Sequence, residues 1–138
     1  MNSQLERLVG TVLSAEPPDA NEFAGLKESG LARLKDAGNT GISLVGRFDL
    51  AYNAAHALCL AALRHKGYRP SKRYIVFQAV PHTLGLGPEV WRVLAKAHEL
   101  RNAGEYEGWT DINERLVLDL VAACKAVAAK LNSLTPLS

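Results

Sequence analysis

The stretch from Ser43 to Lys66 constrains the fold more than any other part of the chain. It runs 24 residues without a proline. Phe48, Tyr52, Ala55, Cys59, Ala62 and Leu63 recur at spacings of three and four, and Ala51, Ala54 and Leu58 widen that face. Apolar residues at this period specify an amphipathic helix. A face this wide must be covered by several neighbours, and its alanines let them approach closely, as in a bundle core. Alanine and leucine are abundant enough to supply those neighbours: 20 Ala and 21 Leu make up about 30% of the 138 residues.

The remaining segments read as further helices. Leu5, Leu8 and Val12 predict an amphipathic first helix, ended by Pro17-Pro18-Asp19, because proline cannot continue a helix and pushes its predecessor out of helical dihedrals. A second helix is expected from about Glu22 to Ala37, with Phe23, Leu26, Gly30 and Leu34 on one stripe. Gly38-Asn39-Thr40-Gly41 should stop it, Gly38 supplying a left-handed C-cap. Gly67 to Ser71 reads as a loop, and Lys72 to Val80 as a short helix cut by Pro81. Pro88 suits the first position of a helix running to about Ala103, with Gly104 and Gly108 as the break after it. The last helix is expected to start at Asp111-Ile112-Asn113-Glu114, a capping-box spacing, and to continue through Leu116, Leu120, Ala123, Val127 and Leu131. Tyr74 to Phe77 is the one run that could pass for a strand. The fold expected is all-α, an up-and-down bundle of five or six helices. It forms a single domain over residues 1–138, with a core at about 43–132 and N-terminal helices within 3–37.

Several function classes lose support on residue types alone. No apolar run nears the roughly 20 residues needed to span a bilayer. Glu6 and Arg7 interrupt the N-terminal apolar stretch, which speaks against a secretory signal, and the two cysteines suit a cytoplasmic protein. Cys59 and Cys124 are too far apart for a zinc pair and read as reduced core thiols. The four histidines form no HxxxH pairing, so no metal is expected. Gly85-x-Gly87 lacks the third glycine and the preceding strand of a dinucleotide fingerprint, and no cofactor is expected. Net charge is +2, but its distribution is uneven. Arg64, Lys66, Arg69, Lys72 and Arg73 fall within ten residues with no acid among them, leaving the rest of the chain at net −3. With Tyr68 and Tyr74 interleaved, this run suits phosphates and stacked bases. An ordinary solvated loop would carry the same charges.

The segment Arg101-Asn102-Ala103-Gly104-Glu105-Tyr106 is the second candidate. At an expected helix end, Arg101 can face a groove and hold a phosphate through its planar fork. It can equally complete the helix dipole and pair with Glu105 or Glu107. Asp49, Asn53 and His56 trace a polar line along the long helix and mark a candidate cleft. His56 read alone is a core histidine, and Trp91 and Trp109 are packing or contact residues, Trp109 being the nearer to the expected cleft.

Tyr52-Asn53-Ala54-Ala55-His56-Ala57-Leu58, continuing through Ala62-Leu63-Arg64-His65-Lys66-Gly67, resembles the long helix and following loop of HEPN-domain proteins. Leu100-Arg101-Asn102 followed by Glu105-Tyr106 is similar to the Arg-Asn-x-x-Asp-Tyr signature of one branch of that superfamily. The likeness spans about Ser43 to Cys124. It implies a helical bundle that forms a homodimer with a cleft between protomers. It also implies a toxin–antitoxin or stress-linked role beside a nucleotidyltransferase-type partner, and an RNA or nucleotide in the cleft. Several such proteins cut RNA without metal, using an Arg followed after four to six residues by a His. The Arg stabilises charge on the attacked phosphate, and the His acts as base or acid on the ribose 2′-hydroxyl.

Here Tyr106 stands where that His would be, and a phenol of pKa about 10 is a poor base at pH 7. His98, three residues before Arg101 and on the same helical face, is the candidate substitute, although read alone it is a surface or cleft-edge histidine. Arg101, Asn102, Tyr106 and His98 are thus the candidate catalytic group of a metal-independent endoribonuclease. The alternative is a non-catalytic interaction or dimerisation domain working with the same kind of partner.

Overall fold

The computed structural model describes residues 3–107 and 112–137, with the side chains of 4–104 and 112–137. It is mainly helical: α1 (Ser3–Glu6), α2 (Ala20–Ala37), α3 (Leu44–His65), α4 (Arg73–Gln78), α5 (Val80–Thr83), α6 (Pro88–Glu107) and α7 (Glu114–Asn132). Two short strands, β1 (Leu13–Ala15) and β2 (Tyr68–Pro70), pair antiparallel. The described residues hold seven helices against the five or six expected, because Pro81, expected to cut the helix over Lys72 to Val80, stands in the first turn of a separate short one, α5.

The helix α3 is the axis of the molecule. Ser43 caps it by accepting the Gly46 N–H, and Lys66 closes it, so the expected limits hold. Phe48, Ala51, Tyr52, Ala54, Ala55, Leu58, Ala61, Ala62 and Leu63 are all fully buried, covering most of its circumference. Such a helix belongs at the centre of a bundle. Helices α2 and α7 lie along it, and α4, α5 and α6 close the remaining side. Helix α2 approaches closely where Gly30 faces α3: a Cβ there would meet Leu58 Cγ at 2.7 Å. Helix α7 contributes the stripe Val117, Leu120, Cys124, Val127 and Leu131, at helical spacing. Both cysteines are buried and free.

Four expectations are corrected. The N-terminal helix ends at Glu6 rather than running through Val12, because Gly10 takes φ 91° and Leu13 is recruited into a strand against Pro70. Gly67 to Ser71 is not wholly loop: Gly67 at φ 92° swings the chain out of α3 into β2. Gly38 ends α2 in the right-handed region at φ −80°, so no left-handed cap is used. Gly104 does not break α6, which runs on to Glu107; a single helical glycine costs only about 1 kcal/mol. Tyr74 to Phe77 lies inside α4 and is helical. Asn113 caps α7 through its side chain on the Leu116 N–H. Asp111, Gly108 and Trp109 lie outside the described residues.

Candidate functional site

The five-cation run does not form one surface. Arg64 is 1% exposed, and all three of its guanidinium nitrogens are engaged. Its Nε donates to Glu22 at 2.6 Å, its Nη1 to the carbonyls of Glu16 and Tyr68, and its Nη2 to the carbonyl of Pro17. Glu16 also lies 3.2 Å from Arg64 Nη2. Arg69 donates to both Glu16 (2.6 Å) and Glu22 (2.7 Å). These hydrogen bonds hold both carboxyls below the usual carboxylate range, Arg69 acting most strongly on each. Expected as contacts for nucleic acid, Arg64 and Arg69 instead tie the Glu16–Pro17 segment and α2 to the end of α3 and to β2. Lys66 and Lys72 are exposed.

Arg73 parts from the run altogether. It is the first residue of α4, on the far side of β2, where α4 meets α3 and α6. There its Cζ lies 5.8 Å from the ring centre of Tyr52, and Arg101 of α6 places its Cζ 4.8 Å from the same ring. Cations over an aromatic face are attracted by the ring quadrupole. Among the described residues Arg73 makes no ion pair.

His98 sits at the centre of this junction. Helical spacing places it one turn before Arg101 and Asn102 on α6. Its Nδ1 is 2.9 Å from the Tyr52 hydroxyl, and the Asn102 Nδ2 is 3.1 Å from its Nε2. With the Asn102 amide donating to Nε2, the ring proton sits on Nδ1 and is donated to Tyr52 Oη. Tyr74 stacks on the imidazole at 4.7 Å, and Phe77 tilts against it at 5.9 Å. His56, one turn beyond Tyr52 on α3, meets the edge of Phe77 at 6.3 Å.

Charge sets the protonation of both histidines. Burial, then the nearby Arg73 and Arg101 charges, push His56 down to about 4. His98 is lowered by burial, then by Arg101 and Arg73. Both rings are therefore neutral at pH 7, and a neutral imidazole beside two guanidiniums can accept a proton next to a site that attracts anions. Asn102 is exposed, so its amide can swing off Nε2 and free that nitrogen.

The structure thus brings Arg101, Asn102, His98, His56 and Arg73 together, though the sequence placed them in three separate groups. Asp49 and Asn53 share the His56 side of α3 by spacing, but Asn53 donates to the Asp49 backbone carbonyl of its own helix and Asp49 is exposed. The side chain of Tyr106 lies outside the described residues. Tyr52, assigned to the core stripe, is the residue that sequence reasoning missed as a site member. Its hydroxyl and its ring face both serve the site, and only its proximity to His56 in sequence hinted at that.

An apolar cleft of about 290 Å³ adjoins the cluster, lined by Tyr74, Phe77, Gln78, Pro81, Trp91 and Ala95. Among the described residues no group of three His, Cys, Asp or Glu side chains could hold a metal ion, and no helix is long and apolar enough to cross a membrane.

Fold and site together define a small helical bundle with a ring-lined junction of two guanidiniums and two neutral imidazoles. No family model matches the chain, and neither a curated protein nor a solved structure is significantly similar to it.

Proposed function

We propose that this chain binds RNA or a nucleotide through the junction of α3, α4 and α6, with Arg73 and Arg101 on the phosphate. The observation that carries the reading is the convergence of both guanidiniums on the Tyr52 ring beside a neutral His98. Guanidinium forks match phosphate oxygens bidentately, and Arg73 is exposed to an incoming ligand.

On the HEPN resemblance, the chain works as a homodimer in a toxin–antitoxin or stress-linked pair with a nucleotidyltransferase-type partner, in the cytoplasm. The reaction is then metal-independent cleavage of RNA. His98 Nε2, once Asn102 moves aside, takes the proton of the ribose 2′-hydroxyl. The 2′-oxygen attacks the phosphorus, the P–O5′ bond breaks, and the 5′-oxygen leaves as a hydroxyl by taking the proton back from His98, so that a 2′,3′-cyclic phosphate remains. Arg73 and Arg101 stabilise the charge that develops on the phosphate. One observation favours the non-catalytic alternative: both ring nitrogens of His98 already have partners, so the same residues would serve as a fixed binding surface.

Incubating labelled RNA with the purified protein in EDTA tests the reading. Cleavage that survives chelation, vanishes in Arg101→Ala and falls at least about a hundredfold in His98→Ala supports catalysis. Absence of cleavage with RNA binding that depends on Arg101 moves the reading to the binding domain. Loss of neither function in Arg101→Ala contradicts both.

A further inference from the structure

The cleft beside the cluster has no part in the proposed phosphate chemistry, yet it is continuous with the residues that carry it. Trp91, Ala95, His98 and Asn102 follow one another at spacings of four, three and four, which is one stripe of α6. The first two line the cleft and the last two belong to the polar site. On α4 the same handover occurs: Tyr74 stacks on His98 and also lines the cleft, as does Phe77. Ala95 and His98 lie within one helical turn, a rise of about 5 Å.

The cleft's chemistry is specific. Three of its six lining residues are aromatic, and Gln78 supplies an amide that can both donate and accept. Its volume of about 290 Å³ is at the bottom of the range for drug-sized ligands, which suits one flat ring system. Aromatic walls, one bifunctional amide and cations at one end together match a planar heterocycle with hydrogen-bonding edges, attached to an anionic group.

We infer that this cleft is a nucleobase pocket: one unpaired base enters beside Trp91, Tyr74 and Phe77, with Gln78 on its polar edge and its phosphate at Arg73 and Arg101. The inference rests on the phosphate reading above and adds the part of the ligand that lies away from the charge. Ala95 leaves the room that the base occupies. The base comes either from a free nucleotide or from one unit of a single strand, and the two share this chemistry.

Calorimetric titration of the full chain with adenosine 5′-monophosphate, ribose 5-phosphate and a short single-stranded oligoribonucleotide, with and without an abasic unit, tests it. The base should tighten binding about tenfold to a hundredfold over the ligand lacking it, the usual scale of base–aromatic stacking. Trp91→Ala and Ala95→Leu should each erase most of that advantage while leaving ribose 5-phosphate binding unchanged. Trp91→Phe, which keeps a ring, should retain most of it, and thermal unfolding of each variant verifies its fold. An advantage seen with the free nucleotide identifies that source, and one seen only in the oligonucleotide identifies the strand. Ribose 5-phosphate and adenosine 5′-monophosphate binding equally, both lost in Arg73→Ala, with the intact and abasic strands also binding equally, would overturn the pocket and leave the phosphate site standing. Failure of every phosphate ligand to bind would overturn both.

Discussion

Two arginine pairs stand in different surroundings: Arg64 and Arg69 where α3 passes into β2, and Arg73 and Arg101 where α4 meets α3 and α6. Arg64 and Arg69 meet Glu16 and Glu22, so their charge is cancelled and every guanidinium nitrogen of Arg64 is spent on holding chain segments together. Arg73 and Arg101 meet the Tyr52 ring, and the neighbours they share there are rings and neutral imidazoles. The first arrangement is what a structural ion pair requires: burial tolerated because each donor has an acceptor. The second places positive charge beside a cleft, which is what binding an anion requires. The same residue type thus stands among carboxylates and carbonyls at one place and among aromatic rings at the other, and on the proposed reading only the second set serves an anion.

The contrast predicts its largest effect at the first pair. Arg64→Ala strands the buried carbonyl of Tyr68 and the half-buried carbonyls of Glu16 and Pro17, breaks the pair with Glu22, and should cost about 3–5 kcal/mol in urea unfolding. A cost under about 1 kcal/mol would remove the distinction between the two pairs. Replacing both Arg73 and Arg101 with Ala should do the reverse. Phosphate-ligand affinity should fall about a hundredfold or more, since each charge-assisted hydrogen bond is worth about 1.5–3 kcal/mol. Arg73→Ala alone should change stability by only about 0.5–1 kcal/mol, the scale of one exposed cation–π interaction.

Acid should separate the two sets by pH. His56 and His98 are held below 6.5 in the folded chain, so the unfolded chain takes up protons first and stability falls as pH drops from about 6.5 towards 4. Glu16 and Glu22 are held below 4.5, and their contribution is lost only as pH falls beneath that value. Unfolding midpoints measured from pH 7 to 3 should therefore decline in two stages, and His56→Gln should flatten the first. A smaller effect is expected for Tyr52→Phe. It removes the hydroxyl that meets His98 Nδ1 and should cost about 0.5–1.5 kcal/mol, with a shift in the His98 titration followed by NMR.

What the sequence revealed depended on how local the cause was. The limits of α3 were legible because Ser43, the alanine face and the Lys66-Gly67 exit act within a few residues of one another. Helix α1 was overextended because its end depends on Leu13 pairing with Pro70, a partner 57 positions away that no local pattern reveals. The basic run looked like one patch because Glu16 and Glu22, which neutralise two of its members, are 42 to 53 positions distant. Arg101, Asn102 and His98 were legible as a group, sharing one face of α6. Their union with Arg73, Tyr52 and His56 was not, since it arises from the packing of α4 against α3 and α6.

Which arginines carry the proposed phosphate-binding charge is measured directly by the salt dependence of single-stranded RNA binding. Removing one phosphate-binding charge should flatten the slope of log affinity against log salt by about 0.7. Arg73→Ala and Arg101→Ala should each weaken binding and flatten the slope, while Arg69→Ala leaves both unchanged. A flattened slope in Arg69→Ala, with Arg73→Ala and Arg101→Ala binding like the wild type, would contradict the assignment of the two pairs.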